Sequence, residues 1–318
     1  GAIRVTPPRN PSYFAYIDLS LVRTYGIKRM STAETEPNEF VDFWNQVLVP
    51  KFIKYKHVLV GGLSHHSEAI LPDLPVGRGD SVPDVGCGFG DTAVYFAERV
   101  GPGGRVVGMD CCDAFMDYGV KEAAEAGLEN LTFINGDVLA YPFEPVYDFV
   151  FSRFGTMFFS NPVAGLRNMR TALKPGAIMT HIVWRTPADN PWLSMAKAVV
   201  LRFLPPPGED AQTCGPGPFS MANQEMVTKM MEVAGYENIE FKRVDAPVLV
   251  GRTVEDAVNF QLALGPAGEV YREAGAEAEA KHAEIEAALA VAIEAEKSDA
   301  DGIVMDSSSW VISGTNPG

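Results

Sequence analysis

The sequence predicts an α/β fold in which a mainly parallel sheet carries helices on both faces. Three observations lead there. From Ser81 onward, short apolar runs alternate with helical stretches of ten to fifteen residues, the rhythm of right-handed βαβ units. Glycines and aspartates gather at the C-terminal edges of successive runs, where open α/β sheets turn and bind ligands. With 47% hydrophobic residues in 318 positions, the chain also has ample apolar side chains for a sizeable core.

The elements follow in order. Residues 1–37 mix Pro, Arg and Tyr with short apolar stretches and read as an N-terminal arm. Phe40, Phe43, Trp44, Val47 and Leu48 then recur at three- and four-residue spacing, a helical pattern. Pro50 should break that helix and open the next, PKFIKYKHVLVGGL, at its first turn. A further helical stretch through LSHHSEAI precedes a loop rich in Pro and Gly. SVPDVG reads as a strand and DTAVYFAERV as a helix stopped by GPGG. RVVGMD is a strand, AFMDYGVKEAAEAG a helix ending in Gly, and LTFING and VYDFVFS are strands. PVAGLRNMRTAL is a helix and GAIMTHIVW a strand.

Two stretches interrupt this rhythm. The first, about 185–220, is broken by prolines around one helix near 191–204; NQEMVTKMMEVAG and NIEFKRVD then restore helix and strand. The second, about 253–300, ends in EVYREAGAEAEAKHAEIEAALAVAIEAEK, whose Ala and Glu predict strong helix with a solvated charged face. IVMDSSSWVISG alternates like a closing strand.

Charge narrows the function classes. Lys and Arg number 26 against 41 Asp and Glu, a net charge of −15. Such a surface repels nucleic-acid phosphates and anionic membranes. No window is long and apolar enough for a transmembrane helix, and GAIRVTPPRN lacks the apolar core of a secretory signal. Cys87, Cys111, Cys112 and Cys214 form neither a disulfide framework nor a zinc-ligand spacing. A reduced cytoplasmic protein, with no metal, is the expectation.

The chemistry concentrates in Asp84-Val-Gly86-Cys87-Gly88-Phe-Gly90, at a strand-to-helix junction. Glycines at alternate positions let the backbone approach a ligand that a Cβ would exclude. Asp110 ends the next strand, where an acid can accept both hydroxyls of a ribose, and Asp137 follows the third strand. A pyrophosphate needs bare amides at a helix N-terminus with no anion nearby. Here Asp91 occupies that N-terminus, Asp84 precedes the glycines, and no Walker lysine follows. Two carboxylates suit a locally cationic nucleoside without phosphate, which describes S-adenosylmethionine.

On these motifs the segment from about 81 to 184 resembles the class I S-adenosylmethionine-dependent methyltransferases, the small-molecule type of ubiquinone and menaquinone biosynthesis. DVGCGFG, the acid of VVGMD, the GD of NGDV, YDFVFSRFG and LKPGAIM match in order. The resemblance implies a Rossmann-like, seven-stranded, mainly parallel sheet whose last strand is antiparallel. Beyond the matched segment, the chain itself is read as a helical lid over residues 38–78 and a methyltransferase domain over 79–318, with insertions at about 185–220 and 253–300, around the sixth strand. The resemblance gives Gly86, Cys87, Gly88 and Gly90 to the methionine portion, with Asp84 holding its amino group. Asp110 would hold the ribose, with Met109 and Cys111 beside the adenosine. Asp137 and the Val138 amide would read the adenine. Phe151, Ser152 and Arg153 would line the site near the transferable methyl. Pro83 departs from the pattern: it cannot donate to a ladder, so the first strand should be weakened or begin late.

The acceptor side is less marked. Methyl transfer from a sulfonium is an in-line displacement that alignment and desolvation can drive, and a base is needed only if the acceptor loses a proton. His65 and His66 are candidates for that base, although helix capping or exposure explains such a pair better. His181, inside an apolar strand, reads as a core histidine. Phe154, Met157, Trp184, Trp192 and Phe219 are candidates for an aromatic acceptor pocket, and Arg153 for an ion pair with a ligand carboxylate or a nearby acid. The expected activity is methyl transfer to a small molecule, on oxygen or carbon, by a monomer or homodimer. A nucleotide-dependent oxidoreductase and a non-catalytic S-adenosylmethionine-binding module are the rivals.

Overall fold

The computed structural model describes residues 14–17, 28–32 and 38–318. Its strands are β1 (Phe14–Ile17), β2 (Lys28–Thr32), β3 (Ser81–Val85), β4 (Arg105–Asp110), β5 (Leu131–Asn135), β6 (Tyr147–Arg153), β7 (Leu173–Trp184), β8 (Glu237–Gly251), β9 (Lys297–Ser298) and β10 (Ile303–Thr315). They form one sheet in the order β1-β2-β5-β4-β3-β6-β7-β10-β8, with β9 on β10. Strands β2 to β7 pair parallel, and β10 runs antiparallel to both β7 and β8. The seven expected strands are therefore present, the last one antiparallel. Outside them, β1 and β2 form an antiparallel pair that extends the β5 edge. The rest of the expected N-terminal arm lies outside the described residues.

The connecting helices are α4 (Asp91–Val100), α5 (Asp113–Glu125), α6 (Pro162–Ala172) and α8 (Gln224–Ala234). The sheet between them is dry: Phe133, Phe149, Phe151, Val82 and Val150 are fully buried. Pro83 does not delay β3, which begins at Ser81, and its effect falls on one side. β3 keeps five aligned residues against β4 but only Asp84 against Phe151 of β6, as a residue without an N–H dictates.

The N-terminal helices run α1 (Glu39–Phe43), a π turn over Trp44–Leu48, α2 (Val49–Lys54) and α3 (Lys56–Glu68). Pro50 sits in the first turn of α2, as expected, but the path before it stays helical and is not broken. The wide turn one step before it accommodates the missing donor, and the chain continues helical. Helix α3 packs on β8.

A second helical group is α7 (Pro191–Val200), α9 (Val254–Ala263), α10 (Gly265–Ala274), α11 (Ala276–Ala280) and α12 (His282–Glu294). Helices α7, α9, α10 and α12 pack on one another. The Ala- and Glu-rich stretch is thus helical but not one rod. Gly275, at φ 52°, turns it between α10 and α11, a conformation that other residues adopt only with strain. The stretch's apolar Ala278, Ile285, Leu289 and Ile293 are buried.

Candidate active site

A cavity of about 220 Å³ opens at the C-terminal ends of β3, β4, β5 and β6. Its floor is Gly86, Cys87 and Gly88, and its walls include Met109, Asp110, Cys111, Asp137, Val138 and Arg153. The loop after β3 folds this way because the Gly86 and Cys87 amides donate to the Met109 carbonyl at 2.8 and 3.0 Å. Gly88 sits at φ 52°, and a Cβ built on it meets nothing within 4 Å; backbone there is bare toward the cavity. Its N–H donates to Asp110 Oδ2 at 2.8 Å, and the Cys112 N–H donates to Oδ1 at 2.8 Å. Burial raises the Asp110 carboxyl while these backbone donors oppose the shift. Asp137 accepts from the Leu139 N–H at 2.9 Å, and Asn38 reaches its other oxygen at 3.5 Å.

Other expected residues lie behind the walls. Asp84, Phe151 and Ser152 are fully buried beneath the cavity and do not line it. Gly90 is also behind: a Cβ there would meet Gly119 Cα and the Phe133 ring at 2.9 Å, so its glycine serves packing of α4 against α5 and β5. Asp84 Oδ2 accepts from Thr92 Oγ1 at 2.5 Å, and Thr92 does line the cavity. Asp84 Oδ1 has no partner among the described residues. Burial pushes this carboxyl up to about 7, against the opposing pull of the Thr92 hydroxyl and Arg153. Asp91 is not a second bare carboxylate, because Arg153 pairs with it at 2.8 Å and also donates to Ser67 Oγ at 3.1 Å. The residues fit a cationic sulfur nucleoside: a bare glycine floor, an orphaned buried carboxylate oxygen, and two further acids at successive strand ends. Asp110, Cys111 and Cys112 also bring possible metal-ligand atoms within 4.8 Å of one another, but both Asp110 oxygens already hold backbone amides.

A second cavity of about 140 Å³ adjoins the first and shares Trp44, Phe52, Leu59, Leu63, Phe154 and Phe158 with it. Phe154 stands at φ 55°, an uncommon conformation for a bulky side chain, and its ring stacks on Trp184 at 3.9 Å. Of the acceptor-pocket candidates, Trp184, Met157 and Trp192 line this second cavity with Phe154, and Phe219 does not. His65 and His66 reach neither cavity. His65 is half-exposed beside Glu68 at 3.4 Å. His66 is buried, its ring nitrogens bonded to Ser309 Oγ at 2.8 Å and Ser307 Oγ at 2.7 Å, and burial lowers its pKa to about 4. It fastens α3 to β10 and packs edge-on against Phe154 and Trp184. His181 is a core histidine bonded to Thr156 Oγ1 at 2.8 Å, with Nε2 unpartnered among the described residues. Several lining residues carried no chemical signal in sequence: Asn38, Trp44, Phe52, Leu59 and Leu63 read only as helix, and Glu269 and Arg272 only as solvated charges.

Residues 82–176 match the methyltransferase domain family. The chain carries a class I S-adenosylmethionine-dependent methyltransferase domain. The chain is 26% identical to demethylmenaquinone methyltransferase of Staphylococcus aureus over 182 residues, 54% of this chain and 74% of that protein. The YcgJ protein of Bacillus subtilis shares the fold at a TM-score of 0.52 and 16% identity, with 80% of this chain and 99% of that one covered. So does phosphoethanolamine N-methyltransferase 2 of Haemonchus contortus, in complex with S-adenosylmethionine, at a TM-score of 0.54 and 17% identity, with 91% and 62% covered. The oxidoreductase rival falls with the methyltransferase match. The matched segment of the methyltransferase contains Gly86, Gly88, Asp110, Asp137 and Arg153, while most walls of the second cavity come from outside it. No helix among the described residues is long and apolar enough to cross a membrane.

Proposed function

We propose that this methyltransferase moves the methyl group of S-adenosylmethionine to an oxygen or carbon of a small, largely apolar, ring-bearing acceptor. The observation that carries the reading is the pair of contiguous cavities with a shared aromatic boundary. When bound, the cofactor supplies an electrophilic methyl on a sulfonium. In this reading Asp110 accepts the ribose hydroxyls on its remaining lone pairs, and Asp137 and the Val138 amide take the adenine edge. Asp84 in this reading acts from beneath the floor: Thr92, whose hydroxyl donates to it, lines the cavity and accepts from the ammonium, and the arriving cation favours the ionised carboxylate. Trp44, Phe154 and Phe158 exclude water from the transfer path and hold the acceptor ring at the boundary, so alignment supplies much of the acceleration. Cys214, the thiol in the second cavity, is pushed up to about 11 by burial and stays protonated at neutral pH. The sequence likeness to demethylmenaquinone methyltransferases supports a ring acceptor.

The test is incubation of the protein and methyl-labelled S-adenosylmethionine with a metabolite extract, followed by mass spectrometry. A labelled apolar ring compound is the expected product. Tight S-adenosylhomocysteine binding with no labelled product from any extract would instead favour a non-catalytic binding module.

A further inference from the structure

The second cavity is apolar around most of its wall, but two charged side chains reach it. Glu269 and Arg272 lie one turn apart on α10, hence on one face of that helix. Neither borders the cofactor cavity, so they belong to the acceptor chamber alone. Arg272 is held in place before any ligand arrives. It donates to the Gln212 carbonyl at 2.6 Å, pairs with Glu273 at 3.1 Å and lies over the Phe43 ring at 4.8 Å, with its side chain 22% exposed. Glu269 has no ion-pair partner among the described residues.

This pairing selects by charge. A carboxylate on the acceptor would meet Glu269 as well as Arg272, and an ammonium Arg272 as well as Glu269, so a full charge gains from one group what it loses to the other while still bearing its desolvation cost. A neutral hydroxyl satisfies both groups, because one oxygen can donate and accept at once. We propose that the acceptor carries a neutral hydroxyl on the part that lies outside the cofactor cavity, donating to Glu269 and accepting from Arg272. The inference rests on the second cavity being the acceptor site.

Calorimetry on the full chain saturated with S-adenosylhomocysteine tests it, with naphthol, naphthoate and naphthylmethylammonium as probes sharing one ring system. Naphthol should bind about tenfold more tightly than either charged analogue. Glu269→Gln, nearly isosteric, should improve naphthoate binding by about tenfold, and Arg272→Met should do the same for naphthylmethylammonium. Affinity for S-adenosylhomocysteine should be unchanged in both. A charged probe matching naphthol in the wild type, or an unaltered ranking in Glu269→Gln, would overturn the proposal. If S-adenosylhomocysteine itself fails to bind, the cofactor reading falls; if it binds and no naphthalene does, the acceptor cavity falls.

Discussion

Asp84, buried, and Asp110, half-buried, are acids at the ends of neighbouring strands, and their surroundings prepare them for different work. Each Asp110 oxygen already accepts a backbone amide, whereas one Asp84 oxygen has no partner among the described residues. The Asp84 carboxyl is raised from 3.8 to about 7 by burial. A native pKa above the unfolded one means that the native state holds the proton more tightly. Stability from this group is therefore full below pH 3.8 and is lost as pH rises toward about 7. Asp84→Asn should relieve that loss, raising ligand-free stability above pH 7 by about 4 kcal/mol at most; urea melts across pH would show it. The same substitution should abolish the proton released when S-adenosylhomocysteine binds near pH 6, seen by calorimetry in buffers of different ionisation enthalpy. Persistent proton release in the variant would assign the linkage elsewhere. The acid was legible in sequence, because a strand-end aspartate before glycines has few other uses. Its depth was not, since burial depends on α4 and β6 closing over it.

At the scale of elements, two glycines that look alike in sequence have unlike reasons. Gly88 is bare toward the cavity, while Gly90 is pressed against Gly119 and Phe133. Both have positive φ, so alanine at either costs about 1 kcal/mol in backbone strain. Gly90→Ala adds a clash that must push α4 off its neighbours, about 1–3 kcal/mol more. Thermal melts should therefore fall much further for Gly90→Ala, whereas Gly88→Ala should chiefly weaken S-adenosylhomocysteine binding. Equal melting temperatures would contradict the division. The alternation of strands and helices was readable because periodicity and glycine stops are local. The N-terminal helices were readable as helices too, but not the faces they present. Trp44 lines both cavities because a π turn rotates it inward and its indole donates to the Cys214 carbonyl at 3.0 Å. That partner lies 170 residues away, beyond any local pattern.

For the molecule as a whole, two buried histidines oppose Asp84 in their dependence on pH. Burial lowers His66 to about 4 and His181 to about 3 from an ordinary 6.5. The unfolded chain then binds more protons below pH 6.5, so stability falls as pH drops from there toward those native values. With the Asp84 loss running the other way, ligand-free stability should peak near pH 6.5, and Asp84→Asn should broaden that peak to higher pH. A wild-type optimum above pH 8 would contradict this balance. The −15 net charge was legible from composition alone, but which groups titrate on folding was not, because it follows from burial. Nor could the acceptor side be read off, since its walls come from α1, α2, α3, α7, α9 and α10 at once. One arrangement of the sheet bears on biosynthesis. β10 is threaded between β7 and β8 and supplies the only ladder that β8 has among the described residues. A nascent chain leaving the ribosome can pair β3 through β7 early, yet β8 must wait, unzipped, until Thr315 has emerged. The nucleoside end of the site can thus mature before the opposite end, and premature termination ahead of Ile303 would leave a half-built enzyme with a raw sheet edge for chaperones to guard.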